Sequence, residues 1–110
     1  MKFDHVALSV KKNEVESTAL WYREKMSAEI LYLDETWAML SVCGVKIALV
    51  VPEQHPPHIA FTINEIQYID LKKAGKIFKI HRDKSESFYE KDPSGNMLEF
   101  VFWKTYGQED

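Results

Sequence analysis

Three side chains of types that commonly bind metal ions occupy comparable places in the sequence. His5 begins the stretch HVALSV, His58 begins HIAFTI, and Glu99 lies inside the apolar run MLEFVFW. A carboxylate buried in a strand is costly unless an opposite charge compensates it, and a bound cation does so directly. Two histidines and one carboxylate also leave coordination positions open. Together the three residues predict a site for a divalent ion, namely Mn, Fe, Zn, Ni or Co.

Each of these side chains has a simpler explanation when it is considered alone. His5 would be a half-exposed strand residue, His58 a histidine where a loop meets a strand, and Glu99 the partner of a lysine. What favours the metal site is that the three occupy related positions in an internal repeat of the chain.

The repeat begins with the two histidine-bearing stretches. HVALSV (5–10) and HIAFTI (58–63) match position by position: histidine, β-branched apolar, alanine, large apolar, hydroxyl residue, β-branched apolar. Their period-two alternation predicts a strand in each, with the histidine and the small residues on one face. A helix is predicted after each strand, over 13–26 and 64–75.

Both predicted helices begin with the spacing of a capping box. Asn13 precedes Glu16 by three residues, and Asn64 precedes Gln67 by three, as asparagine N-caps require. Gly75 is expected to end the second helix. Three more strands are then predicted in each half, over 28–34, 36–43, 45–51, 76–81, 86–91 and 97–103.

This pattern predicts an α+β fold made of two tandem βαβββ modules. Module 1 spans 1–51, module 2 spans 58–110, and the proline-rich segment PEQHPP (52–57) links them inside a single domain. Because neither module can bury its sheet alone, we expect the two to pair and enclose a cleft. The short linker allows pairing within one chain or between two chains, and we expect a homodimer.

Composition narrows the classes of function. The chain has 110 residues, 45% hydrophobic and 28% charged, which is ordinary for a globular domain. Its net charge of −3 gives no reason to expect nucleic acid or an anionic membrane as a partner. A single cysteine, Cys43, no apolar run of membrane-spanning length and no signal-peptide pattern lead us to expect a cytoplasmic protein.

Taken together, HVALSV, HIAFTI and DPSGNMLEF resemble the vicinal oxygen chelate superfamily, also called the glyoxalase, bleomycin-resistance and dioxygenase superfamily. The resemblance covers essentially the whole chain. It implies that paired βαβββ modules form a cleft and that His5, His58 and Glu99 hold a divalent ion there. Vicinal oxygens of the substrate would then chelate that ion.

Within that superfamily, CGVKIALVVPE, HIAFTI and SESFYEKDPSGNMLEF are most similar to fosfomycin-resistance proteins. This resemblance implies that Lys79, Ser87 and Tyr89 help to hold an anionic substrate. Two departures bear on the reaction. Ala48 stands where glyoxalase I-type members have a fourth ligand, and Ala7 stands where thiol-transferring members have threonine or cysteine, so both of those chemistries are disfavoured.

The function we predict from these residues is a metal-dependent enzyme that acts on a small oxygen-rich molecule. The substrate would chelate the ion with two oxygens, and the ion would act as a Lewis acid. Candidates for a catalytic base are Glu86, Tyr89 and His81, although His81 is more simply interpreted as an exposed residue at a strand end. Trp37 is a candidate for the pocket wall. The alternative function is a metal-free protein of the same fold that sequesters a drug or a metabolite.

Overall fold

Eight strands and two helices make up the structure, a computed structural model that describes residues 1–104. The elements are β1 (Lys2–Ser9), α1 (Val15–Met26), β2 (Glu29–Leu33), β3 (Trp37–Val42), β4 (Val45–Val50), β5 (His58–Ile63), α2 (Glu65–Lys73), β6 (Lys79–Ile80), β7 (Glu86–Lys91) and β8 (Met97–Phe102). Neither of the described helices has the length and the apolar character that crossing a membrane requires.

Two compact units divide these elements. The N-terminal unit is His5–Ile59, and the C-terminal unit combines Met1–Asp4 with Ala60–Asp110. Strands β1 and β5 therefore each contribute residues to both units. The last six residues of the predicted second module, 105–110, lie outside the described residues.

In the N-terminal unit the strands are ordered β2-β3-β4-β1. The β2–β3 and β3–β4 pairs are antiparallel, whereas β1 and β4 are parallel, so the sheet is mixed. Helix α1 covers one face of this sheet, and its Val15 and Ala19 are buried in one hydrophobic core with Leu40 and Leu49. Each fully buried leucine stabilises the fold by about 1.5–3 kcal/mol.

In the C-terminal unit the order is β5-β8-β7-β6, with antiparallel pairing of β8 with β7 and of β7 with β6. Helix α2 covers one face through Tyr68, whose ring stacks on Phe102 at a centroid distance of 4.0 Å and meets the edge of Phe78 at 4.9 Å. Phe78 in turn contacts Phe88 of β7 at 4.9 Å. Aromatic packing therefore attaches this helix to the sheet.

The two helices begin differently, although the sequence predicts a capping box for both. Asn64 accepts a hydrogen bond from the Gln67 backbone at 2.8 Å, and the Gln67 side chain accepts one from the Asn64 backbone at 3.0 Å, so the box at α2 is confirmed. The box at α1 is wrong. Its N-cap is Glu14, which makes no side-chain cap bond, and Asn13 has a φ of 71°, outside the extended conformation that a capping residue adopts.

The confirmed cap leads to a stability prediction. We expect Asn64→Ala to lower the free energy of unfolding by about 1 kcal/mol, because it removes the acceptor of the Gln67 amide hydrogen. Asn13→Gly is the matched control, since glycine tolerates a positive φ and no cap bond is lost; its effect should be less than about half as large. Urea unfolding followed by circular dichroism measures both, and equal losses would contradict the difference between the two caps.

Candidate metal centre

The imidazoles of His5 and His58 face each other. Their Nε2 atoms are 3.2 Å apart, and the rings cross at 75° with centroids 5.3 Å apart. Two nitrogens bound tetrahedrally to one cation, each at about 2.0–2.1 Å, are roughly 3.3 Å apart. The observed separation is compatible with a shared ion, and it also lies within hydrogen-bond distance between the two rings.

A second contact sets the tautomer of His58. Its Nδ1 lies 2.8 Å from the carbonyl oxygen of Pro56, and because a carbonyl oxygen only accepts, Nδ1 must carry a proton and donate it. In the neutral ring, Nε2 then has the lone pair, and it is directed toward His5. In metal-binding histidines, the ring nitrogen that does not bind the metal commonly donates a hydrogen bond that fixes the orientation of the ring, and the Pro56 carbonyl accepts such a bond here.

Glu99 completes the set of possible ligands. The ligand-capable atoms of His5, His58 and Glu99 all lie within 4.8 Å of one another, and the Glu99 residue is only 8% exposed. Two imidazole nitrogens and one carboxylate oxygen form a donor set that suits divalent first-row ions. The structure thus brings together the three residues that the sequence predicts as metal ligands.

The turn before β8 places Glu99. In the segment DPSGN, the Asp92 carboxylate accepts hydrogen bonds from the backbones of Ser94 and Asn96 and from the Asn96 side chain, at 2.8–2.9 Å. These bonds lower the pKa of Asp92. Gly95 occupies the left-handed region with a φ of 91°, which the turn requires and glycine adopts without strain. The motif is therefore a turn that starts the Glu99 strand.

Tyr89 is the partner of Glu99 on the neighbouring strand. The two residues are directly opposite in the β7–β8 register. Burial, followed by the charge of Glu99 and a hydrogen bond to it, raises the pKa of Tyr89 to about 12. The phenol is therefore protonated at neutral pH and donates to the carboxylate.

Ser87 and His81 form a contact that the sequence does not reveal. The Ser87 Oγ lies 2.6 Å from His81 Nε2, and His81 is half-buried, so its interpretation as an exposed strand-end residue is wrong. Lys79 lies opposite Ser87 in the β6–β7 register and is exposed. Ser87 and Tyr89 are two residues apart on β7 and therefore emerge from the same face.

Glu86 emerges from the other face of β7. Its carboxylate accepts a hydrogen bond from the Tyr68 hydroxyl of α2 at 2.6 Å and lies 3.9 Å from the Lys104 ammonium. Burial and the contact with Glu86 raise the pKa of Tyr68. The structure thus places Glu86 beneath the helix, away from the face that carries Ser87 and Tyr89.

Trp37 lies in β3, in the N-terminal unit. Its ring stacks on Tyr32 with a centroid distance of 4.7 Å, and the residue is half-buried. In register, Trp37 is opposite Val50 and Met39 is opposite Ala48. Since side chains alternate, Trp37 and Met39 share the face of the sheet that is opposite α1.

Comparison with solved structures identifies the fold. A glyoxalase/bleomycin resistance protein/dioxygenase superfamily member from Vibrio splendidus 12B01 is similar over 90% of this chain and 97% of its own, with 13% identity and a TM-score of 0.67. The fold is glyoxalase-like. A variant of methylmalonyl-CoA epimerase from Streptomyces coelicolor, in complex with 2-nitronate-propionyl-CoA, matches over 96% of each chain with 15% identity and a TM-score of 0.65.

Solved structures that are similar to this chain are also named for other activities. A protein from Legionella pneumophila called NAD-dependent benzaldehyde dehydrogenase matches 90% of this chain and 97% of its own, with 17% identity and a TM-score of 0.66. No protein-family model and no curated protein matches the chain. At these identities the likeness shows the fold, and the function has to be argued from the site.

The buried Glu86 carboxylate leads to a second stability prediction. We expect Tyr68→Phe to lower the free energy of unfolding by about 1–3 kcal/mol, because the carboxylate loses its hydroxyl donor while it remains buried. Tyr22→Phe on helix α1, which leaves that contact intact, is the control and should change stability by less than about 0.5 kcal/mol. Urea unfolding at neutral pH measures both variants. Similar losses would mean that the Tyr68–Glu86 bond contributes nothing specific.

Proposed function

We propose that this protein is a divalent-metal-dependent enzyme that acts on a small oxygen-rich molecule. The observation that carries the proposal is the group formed by His5, His58 and Glu99, whose ligand-capable atoms lie within 4.8 Å of one another. The glyoxalase-like fold and the resemblance of HVALSV, HIAFTI and DPSGNMLEF to the vicinal oxygen chelate superfamily support it. In this proposal residues 1–51 and 58–110 are tandem βαβββ modules of a single domain.

The donor set favours an ion with open positions. His58 presents Nε2 as a neutral donor because Nδ1 donates to Pro56, and Glu99 supplies one negative charge. Three protein ligands leave room for two substrate oxygens around Mn, Fe, Zn, Ni or Co. When bound, such an ion stabilises negative charge that develops on the substrate oxygens.

Three polar residues of the C-terminal sheet are assigned to substrate binding in this proposal. Ser87 and Tyr89 emerge from the face that carries Glu99, and Lys79 lies opposite Ser87. In our proposal these three hold an anionic group of the substrate, as the fosfomycin-resistance resemblance implies, and Trp37 forms part of the pocket wall. In this role the single hydroxyl hydrogen of Tyr89 would turn from Glu99 to the anionic group.

Two further expectations belong to the same proposal. Glu86, considered as a catalytic base from the sequence, is here assigned to hold α2 on the sheet, because its carboxylate is bonded to Tyr68. The short linker PEQHPP allows the modules to pair within one chain or between two chains, and we propose a homodimer in the cytoplasm.

Metal titration tests the proposed function. We expect wild-type protein to bind one Mn(II) or Zn(II) per chain in calorimetry, and His58→Ala and Glu99→Gln to weaken binding at least ~100-fold, since losing even an outer partner of a ligand costs about 10- to 100-fold. His55→Ala is the matched control, because His55 is exposed in the linker and should leave the affinity unchanged.

The same titration repeated in acid adds a second readout. Histidines bind metals as neutral rings, so affinity should fall as the pH drops below about 6.5. Failure of the wild type to bind stoichiometric metal at neutral pH, or equal affinities for His58→Ala and His55→Ala, would refute the proposed enzyme and favour a metal-free binding protein.

A further inference from the structure

His81 is anchored by a partner that suits either of its protonation states. Ser87 is 1% exposed, and its Oγ lies 2.6 Å from His81 Nε2. A hydroxyl both donates and accepts hydrogen bonds, so it can accept from a protonated Nε2 or donate to an unprotonated one. A carboxylate could only accept. The contact therefore holds the imidazole in place without requiring that it stay neutral or charged.

The backbone around His81 is held by its own hydrogen bonds. The His81 amide donates to the Ser85 carbonyl at 2.8 Å, and the Lys84 amide donates to the His81 carbonyl at 2.9 Å. Asp83 accepts from the Ser85 amide at 2.9 Å and from its hydroxyl at 2.6 Å. Lys84 has a φ of 76°, in the left-handed region that residues other than glycine rarely adopt. The turn accepts that conformation while it keeps His81 over Ser87.

The sheet register places Ser87, which contacts His81, on the face that carries Glu99. Ser87 is opposite Val101 and Tyr89 is opposite Glu99, so the side chains of all four emerge from one face of β7 and β8. With neighbouring strands about 4.8 Å apart and a two-residue step of about 6.8 Å, the backbones of Ser87 and Glu99 are roughly 8 Å apart. The His81–Ser87 contact is therefore one diagonal position away from Glu99 on this face.

We propose that His81 is the acid–base residue of this site and that Ser87 is its positioning residue. The inference rests on the proposed metal-dependent function and adds the group that moves the proton. The substrates concerned are small carbon acids with two vicinal oxygens.

The proton transfer balances without any further reactant. Nδ1 of the neutral ring takes a proton from the carbon beside the carbonyl group, so a C–H bond breaks and an N–H bond forms. The electron pair moves to the carbonyl oxygen and leaves an enolate, and the reverse transfer restores the carbon acid. Throughout, Nε2–H donates to Ser87 Oγ. Imidazole suits this step because one ring nitrogen can exchange the proton while the other keeps its contact with Ser87.

Hydrogen exchange of hydroxyacetone tests the assignment. Protein loaded with Zn(II) is mixed with hydroxyacetone in D₂O, and the loss of the hydroxymethylene signal is followed by proton NMR. We expect exchange to be faster with the wild-type protein than with the same concentration of free Zn(II). With His81→Gln, whose amide can still contact Ser87 but cannot accept the proton, we expect exchange to be at least ~100-fold slower than with the wild type. His55→Gln is the matched control and should equal the wild type.

Ser87→Ala separates positioning from simple structure. We expect its saturating exchange rate to fall about 10-fold because the His81 ring is misdirected, while the half-saturating concentration of hydroxyacetone stays unchanged, because this neutral probe has no anionic group for Ser87 to hold. A change in that concentration alone, or no change in rate, would overturn the role of Ser87. Thermal unfolding of each variant establishes that the fold is retained.

Metal titration of every variant before hydroxyacetone is added keeps the two proposals apart. Wild type that binds metal but exchanges no faster than free Zn(II), or as fast as His81→Gln, overturns the His81 assignment and leaves the metal centre standing. Wild type that binds no metal overturns the metal centre first, and the His81 assignment with it.

Discussion

Compensation of the Glu99 charge is the constraint on which the candidate site depends. Glu99 is only 8% exposed, so its ionised carboxylate loses most of its hydration, and this is costly unless a nearby positive charge or hydrogen-bond donor compensates it. Two imidazole nitrogens 3.2 Å apart stand near it, and the Tyr89 phenol donates to it from the next strand. A cation held by the three side chains would compensate this charge directly, and the spacing of their ligand-capable atoms suits such an ion.

In the C-terminal sheet, the residues that pack against the helix and the residues of the candidate site lie on opposite faces. On the helix side, the rings of Tyr68, Phe78 and Phe88 pack together, and the buried carboxylate of Glu86 is bonded to a tyrosine hydroxyl. The side chains of Ser87, Tyr89 and Glu99 emerge from the opposite side of the sheet. A strand with period-two alternation achieves this separation with adjacent residues, since Glu86 and Ser87 differ by one position and lie on opposite faces.

Small side chains accompany the histidines on β1 and β5. Ala7 follows His5 by two residues and Ala60 follows His58 by two, so each lies on the histidine face of its strand, and both are buried. The solved structures that share this fold bear the names of different activities, so the reaction must depend on which side chains line such a face and not on the fold.

Much of the local structure follows from the sequence alone because its causes are local. The period-two stretches become β1 and β5, the Asn64 box caps α2, the last strand predicted over 97–103 is Met97–Phe102, and DPSGN forms the turn before it. The glyoxalase-like fold was also predictable, since the internal repeat and the quoted motifs mark it. The Asn13 box failed because a positive φ at that residue precludes the cap geometry.

What the sequence could not decide is which side chains meet across strands. Period-two alternation predicts that His5 and Ala7 share a face of β1, but it does not predict which face the rest of the protein covers. In the structure Leu8 and Ile59, which lie on the strand faces opposite the histidines, are 36% and 39% exposed. The bond between His81 and Ser87, the Pro56 carbonyl that orients His58, and the helix contact that occupies Glu86 all depend on tertiary placement. The sequence determines residue types and their order along each strand, whereas hydrogen-bond partners between elements depend on distances that arise only when the sheets and helices pack.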